Sequence, residues 1–252
     1  MLGDATPEES QSMTRDHHPN RFLAGRAPRR AVVALSCVLS LAGVTLVDSG
    51  AGAAPRTTSA VIADAAGQAV NALTRWERTS RPIDYVRFVQ YRDQAATLTE
   101  REVELADGAL SDAWADVSVA KQHTVLNAIS QLGVPYRNLA SEPGVGFDCS
   151  GLTIWAYGSA GVEIPRVSRD QIDAATATER DDAEAGDLVY YPGHISIYIG
   201  DDAMIHSPNS GNHVEITWLP DKSLRFGDAE AAQIDAATDV GSLVDRALTV
   251  AK

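Results

Sequence analysis

Leu188-Val189-Tyr190-Tyr191-Pro192-Gly193-His194-Ile195-Ser196-Ile197-Tyr198-Ile199-Gly200-Asp201-Asp202-Ala203-Met204-Ile205-His206 decides the fold of this chain. Gly193 and Gly200-Asp201-Asp202 cut it into short strand-like runs, Leu188–Tyr191, His194–Ile199 and Ala203–His206. Such runs separated by tight turns predict adjacent antiparallel strands. A fourth run, Val214–Leu219, follows the turn Asn209-Ser210-Gly211-Asn212. Along His194–Ile199 the alternation places His194, Ser196 and Tyr198 on one face and the three isoleucines on the other. Counting outward from Gly200-Asp201-Asp202 brings His206 near Ile195 and His194.

Upstream, the period changes from two to helical. Val119–Leu132 carries Val125, Ala128, Ile129 and Leu132 on one face and stops at Gly133 and Pro135. A loop from Tyr136 to Phe147 leads to Asp148-Cys149-Ser150-Gly151, which opens the apolar stretch Leu152–Tyr157. Ser59 to about Ala120 also reads as helical, interrupted at Pro82, and fits a helical hairpin, a stalk or a regulatory segment without recognisable chemistry. Helices followed by consecutive strands predict an α+β fold. Four regions are expected: an extension with signal peptide or anchor (1–54), a helical segment or linker (55–116), a catalytic domain (117–225) and a C-terminal tail (226–252), with a helix from Asp228 onward.

Composition narrows the function. The 252 residues carry 21 Lys and Arg against 34 Asp and Glu, a net charge of −13. That balance argues against nucleic acid, whose phosphates require basic patches. Arg21, Arg26, Arg29 and Arg30 precede an apolar run from Ala31 to Val47, then Gly50-Ala51-Gly52-Ala53-Ala54. Basic, apolar and small-residue regions in that order predict a secretory signal, with Met13 a candidate start; an uncleaved anchor is the alternative and the only expected membrane contact. Cys37 lies inside the apolar run, where lipidation is disfavoured because Ala34 stands where a lipoprotein signal would want Leu. Cleavage near Ala54 leaves Cys149 as the single cysteine, a reactive thiol with no internal disulfide partner.

Cys149 at the start of a helix is expected to have a lowered pKa, because the N-terminal end of the helix favours the thiolate. The unpaired N–H groups there are ready donors to an oxyanion. A buried packing thiol is the plain alternative. His194, at a strand's first residue, can project into a cleft as base, and His206 can fix its tautomer. Zinc held by Cys149, His194 and His206 is disfavoured, since zinc wants tighter ligand spacing or more sulfur.

Six segments in register resemble the NlpC/p60 cysteine peptidases. They are Leu132–Tyr136, Phe147–Leu152, Ile164–Gln171, Ala185–Tyr191, Gly193–Gly200 and Met204–Pro208. The resemblance implies a papain-like α+β fold that cleaves peptidoglycan stem peptides, commonly between D-glutamate and diaminopimelate or lysine. It implies Cys149 as nucleophile, His194 as base and His206 as the orienting residue. Tyr136 would sit beside the nucleophile, and Asp148, Ser150 and Arg166 would line the substrate groove. The plain alternatives are a core aromatic for Tyr136, a helix cap for Asp148 and a solvated loop charge for Arg166. No cofactor or metal is required, and no protein partner is identifiable. The family usually continues its tyrosine with Trp-Gly-Gly, whereas this chain has Arg137-Asn138-Leu139-Ala140. A binding module of the same fold with little turnover, and an amidase or acyltransferase using the same thiol, are the competing functions.

Overall fold

The computed structural model describes residues 57–234. The signal or anchor read at 1–54, Cys37 included, and residues 235–252 lie outside the described residues. Among the described residues no helix is long and apolar enough to cross a membrane.

The helical region begins with α1 (Thr58–Thr79), whose N-cap Thr57 accepts a hydrogen bond from the Ala60 N–H. One stripe of α1 is buried, Ile62, Ala65, Ala66, Ala69, Ala72 and Leu73, at the three- and four-residue spacing of a helix face. Ser80 ends it in the left-handed conformation, and Pro82 opens α2 (Pro82–Glu102). Helix α2 returns against α1 with Phe88, Ala95 and Ala96 inward, so small residues on both helices let the backbones approach. The buried Glu100 carboxylate accepts from the Leu110 N–H at 2.8 Å and the Ser111 N–H at 3.1 Å, fixing the start of α3 (Ala109–Ala115). Trp114 on α3 is fully buried and donates its indole N–H to the Ile199 carbonyl at 2.7 Å. The segment read as hairpin, stalk or regulator thus contains the α1–α2 hairpin, which shares one hydrophobic core with the sheet.

Helix α4 (Val119–Ile129) is capped by Ser118 and packs between α1 and α5 (Cys149–Ser159). It is shorter than the sequence pattern, because residues 130–132 close as a turn. Its Lys121 ammonium lies buried among Asp228 at 2.6 Å, Asp187 at 2.8 Å and Glu184 at 2.9 Å, tying α4 to the sheet. A two-strand ribbon, β1 (Ser141–Glu142) and β2 (Gly146–Phe147), precedes α5; α6 (Ser168–Ala174) follows it.

The main sheet contains β3 (Thr176–Thr178), β4 (Leu188–Tyr191), β5 (His194–Gly200), β6 (Ala203–His206), β7 (Glu215–Trp218) and β8 (Arg225–Asp228). Its order is β3-β8-β4-β5-β6-β7, with every pair antiparallel. The strands β4 to β7 agree with the expected runs, and the α+β class holds. Strands β1, β2, β3 and β8 were not legible; Asp228 closes β8, and the expected C-terminal helix is present one residue later, over 229–234 of the described residues. A bulge between Tyr198 and Gly200 shifts the β5–β6 register. Ile195, Ile197 and Ile199 are fully buried, with α5 and α3 packed on β5. The opposite face is closed too: Ser196 is buried, its hydroxyl 3.1 Å from the Met204 sulfur.

Candidate active site

The site forms where the N-terminus of α5 meets the turn end of the β4–β5 hairpin, beside Pro192-Gly193. Asp148 is the N-cap of α5, and its Oδ1 accepts the Gly151 N–H at 2.6 Å. Cys149 is thus the first residue of the helix, half-buried and unpaired as a thiol. Loop 137–140 packs directly onto this turn: Ala140 accepts the Asp148 N–H at 3.0 Å, and a Cβ at Gly151 would stand 1.9 Å from the Ala140 oxygen. Only glycine fits there. Leu139 stands where the family's second glycine falls, and it adopts φ +61° with 79% of the residue exposed. The loop keeps a glycine-like turn without the glycine, at a cost of about 1–2 kcal/mol.

The thiol lies against the N–H of Ile195, which places the neighbouring His194 beside it. His194 opens β5, pairs with Tyr191 across the hairpin and packs on the Tyr191 ring at 5.0 Å between centroids. Its Nε2 meets Nδ1 of His206 at 2.7 Å, the two rings nearly perpendicular at 89°. The structure therefore gathers the Cys149 turn, His194 and His206 at one place, with Nε2 of His194 committed to His206.

Protonation differs from expectation at one point. Burial pushes the Cys149 thiol up, outweighing the lowering by the backbone N–H groups of Ile195 and Ser150. The helix N-terminus does not by itself make a thiolate here, because desolvation is the larger effect. Burial lowers His194 to about 4, with His206 and Lys222 adding to the shift, and burial lowers His206 to about 4. The resting site is a neutral thiol beside two neutral imidazoles.

The other four candidates gather around the same turn. Arg166 donates from Nη2 to Asp148 Oδ2 at 2.7 Å and from Nη1 to the Ser150 hydroxyl at 2.6 Å, so it is not a free solvated charge. Tyr136 is half-buried, its N–H bound to the Asn212 carbonyl at 2.8 Å. Its phenol is pushed up by burial and by the nearby Asp148 and Cys149. Sequence reasoning did not single out three neighbours. Gln171 donates to the Ser150 carbonyl at 3.1 Å and the Pro165 carbonyl at 2.8 Å, bracing the groove from α6. Lys222 sits 4.2 Å over the Tyr191 ring. Glu215 lies opposite His206 in the β6–β7 ladder. Gln171 had a usable signal, as the last residue of the segment Ile164–Gln171, and so did Tyr191, a fourth neighbour, as the mirror of His194 across Pro192-Gly193. Among the described residues no cluster of three or more metal-ligating side chains is formed.

Comparison with known proteins finds the same resemblance over the second half of the chain. Residues 133–225 match the model of the NlpC/P60 family. The match takes in 93 of the 252 residues. Over 125 residues it is 35% identical to the murein DD-endopeptidase MepH of Escherichia coli, covering 45% of this chain and 46% of that protein. It is 41% identical over 93 residues to the gamma-D-glutamyl-L-lysine dipeptidyl-peptidase of Bacillus cereus, covering 34% of this chain and 28% of the relative. A solved NlpC/P60 family protein from Bacillus cereus superposes with a TM-score of 0.42 and 31% identity, covering 45% of this chain and 41% of that one. The chain thus spans less than half the length of each of these relatives. The region matched by the family includes every residue singled out above, from Tyr136 to Lys222.

Proposed function

We propose that this protein is an exported cysteine endopeptidase that hydrolyses peptidoglycan stem peptides through Cys149, His194 and His206. The observation that carries the reading is the contiguity of the thiol at the head of α5 with the His194–His206 pair, inside the region that matches the NlpC/P60 family. The relatives named above as acting on murein or on a γ-D-glutamyl-L-lysine bond support the substrate class. Export is supported by the basic, apolar and small-residue order of residues 21–54.

Because thiol and imidazole rest neutral, the thiol is activated as it attacks. His194 Nδ1 takes the thiol proton while sulfur bonds to the scissile carbonyl carbon. The N–H groups at the start of α5 face the developing oxyanion. Collapse breaks the C–N bond, and the imidazolium returns its proton to the departing amine. Water then hydrolyses the thioester, with His194 again taking the proton, and the free thiol is restored. Asp148, Ser150 and Arg166 form the polar groove wall, suited to the charged γ-D-glutamyl side of the bond; Tyr136 flanks the carbonyl. The bond proposed is γ-D-glutamyl–diaminopimelate or γ-D-glutamyl–lysine.

The test uses the full chain and L-Ala-γ-D-Glu-meso-diaminopimelate, read by mass spectrometry beside Cys149→Ala. Release of L-Ala-D-Glu by the wild type, and none by the variant, is expected. Cysteine-dependent cleavage of cross-linked muropeptide dimers alone would move the bond to the cross-link. No cleavage of either substrate, with peptidoglycan still bound, would replace the enzyme by a binding module.

A further inference from the structure

His206 has two ring nitrogens, and the His194 contact uses only Nδ1. The other, Nε2, is sealed from solvent and lacks a well-aligned hydrogen bond. An unpaired buried polar atom costs about 1–3 kcal/mol, so a nearby acceptor is pulled toward it. One carboxylate stands there: Oε1 of Glu215, 3.3 Å from Nε2. The β6–β7 register sets this proximity, because His206 and Glu215 are directly opposed. Among the described residues Glu215 forms no other ion pair.

We propose that Glu215 is a positioning residue whose carboxylate accepts the Nε2–H of His206 and thereby fixes the tautomer of both histidines. The proton count gives the reason. Each neutral ring carries one proton. With Nε2 of His206 protonated, its Nδ1 is an acceptor, so His194 must place its own proton on Nε2 to fill the 2.7 Å contact. That leaves Nδ1 of His194 with a free lone pair, the one through which the proposed mechanism takes the thiol proton. Were the His206 proton on Nδ1, His194 would carry its proton on Nδ1, unable to accept from the thiol. The lowered pKa of both rings supports this, since only neutral rings present the choice.

The kinetic part of this inference rests on the peptidase reading; the tautomer does not. The full chain, labelled with ¹⁵N-histidine, is compared with Glu215→Ala and Glu215→Gln, with His206→Asn assigning the signals. Glu215 is half-exposed at 51% of its side chain, so both variants are expected to fold. In the wild type, Nε2 of His206 should show the protonated shift; Glu215→Ala should move the proton toward Nδ1, and Glu215→Gln, whose amide oxygen can accept, should largely keep it. Turnover should fall about 3- to 10-fold in Glu215→Ala at unchanged KM and recover in Glu215→Gln. An unchanged tautomer in Glu215→Ala, or a loss confined to KM, would overturn the assignment. If the wild type cleaves no stem peptide the peptidase reading fails, while the ring nitrogens still decide the role of Glu215.

Discussion

Lowering the pH from 7 to 5 tests the buried histidine pair directly. His194 and His206 each fall from the ordinary 6.5 to about 4 in the folded protein, chiefly through burial. A depressed folded pKa means that the unfolded chain binds protons first as pH drops. The stability contributed by the neutral rings is present above pH 6.5 and lost as pH falls toward 4. Integrating proton uptake over pH 7 to 5 gives about 2 kcal/mol per histidine, or about 4 kcal/mol for the pair. Urea unfolding at pH 7, 6 and 5 measures this. Other titrating groups, such as the buried His123, are common to the wild type and His206→Asn and cancel in the comparison. The variant should lose at least about 2 kcal/mol less than the wild type over the interval, because removing His206 also takes away its share of the His194 shift. Equal losses would refute the claim that burial holds His206 neutral. The same rings set the acid limb of kcat/KM, which should stay flat from pH 7 to about 5 in folded protein, because the base remains unprotonated until about pH 4.

Two further outcomes test the frame of the site. Gly151→Ala would drive a methyl into the Ala140 oxygen, 1.9 Å away. Overpacking of this kind should cost about 1–3 kcal/mol by urea unfolding and, by displacing the first turn of α5, lower kcat/KM more than tenfold. Arg166→Gln should lose about 1–3 kcal/mol of stability, since it leaves the buried Asp148 carboxylate short of a donor. Its main effect should be a raised KM for a stem peptide with free carboxylates, read by steady-state kinetics.

Local chemistry determined much of this protein. Tight turns at Gly193 and Gly200-Asp201-Asp202, with runs of β-branched and aromatic residues between them, specify β4, β5 and β6. The Asp148 cap places Cys149 at the head of α5. Turn-to-turn counting brings His206 to the neighbourhood of His194. These are short-range rules of period, cap and turn, and a single sequence expresses them. The tertiary structure alone decided the rest, because each remaining feature depends on segments distant along the chain. Strand β8 enters the sheet between β3 and β4 by pairing across a long separation. Its Asp228 is also one of the three carboxylates around Lys121. The α1–α2 hairpin reads only as an amphipathic helix pair until α4 receives its buried stripe. Leu139 holds a left-handed turn that its residue type disfavours, because the flanking loop is pinned to Phe147 and Asp148. The sign of the Cys149 shift also depends on the whole fold. A helix terminus argues from one segment for a lowered pKa, whereas desolvation sums over every element that covers the thiol, and here the sum is larger.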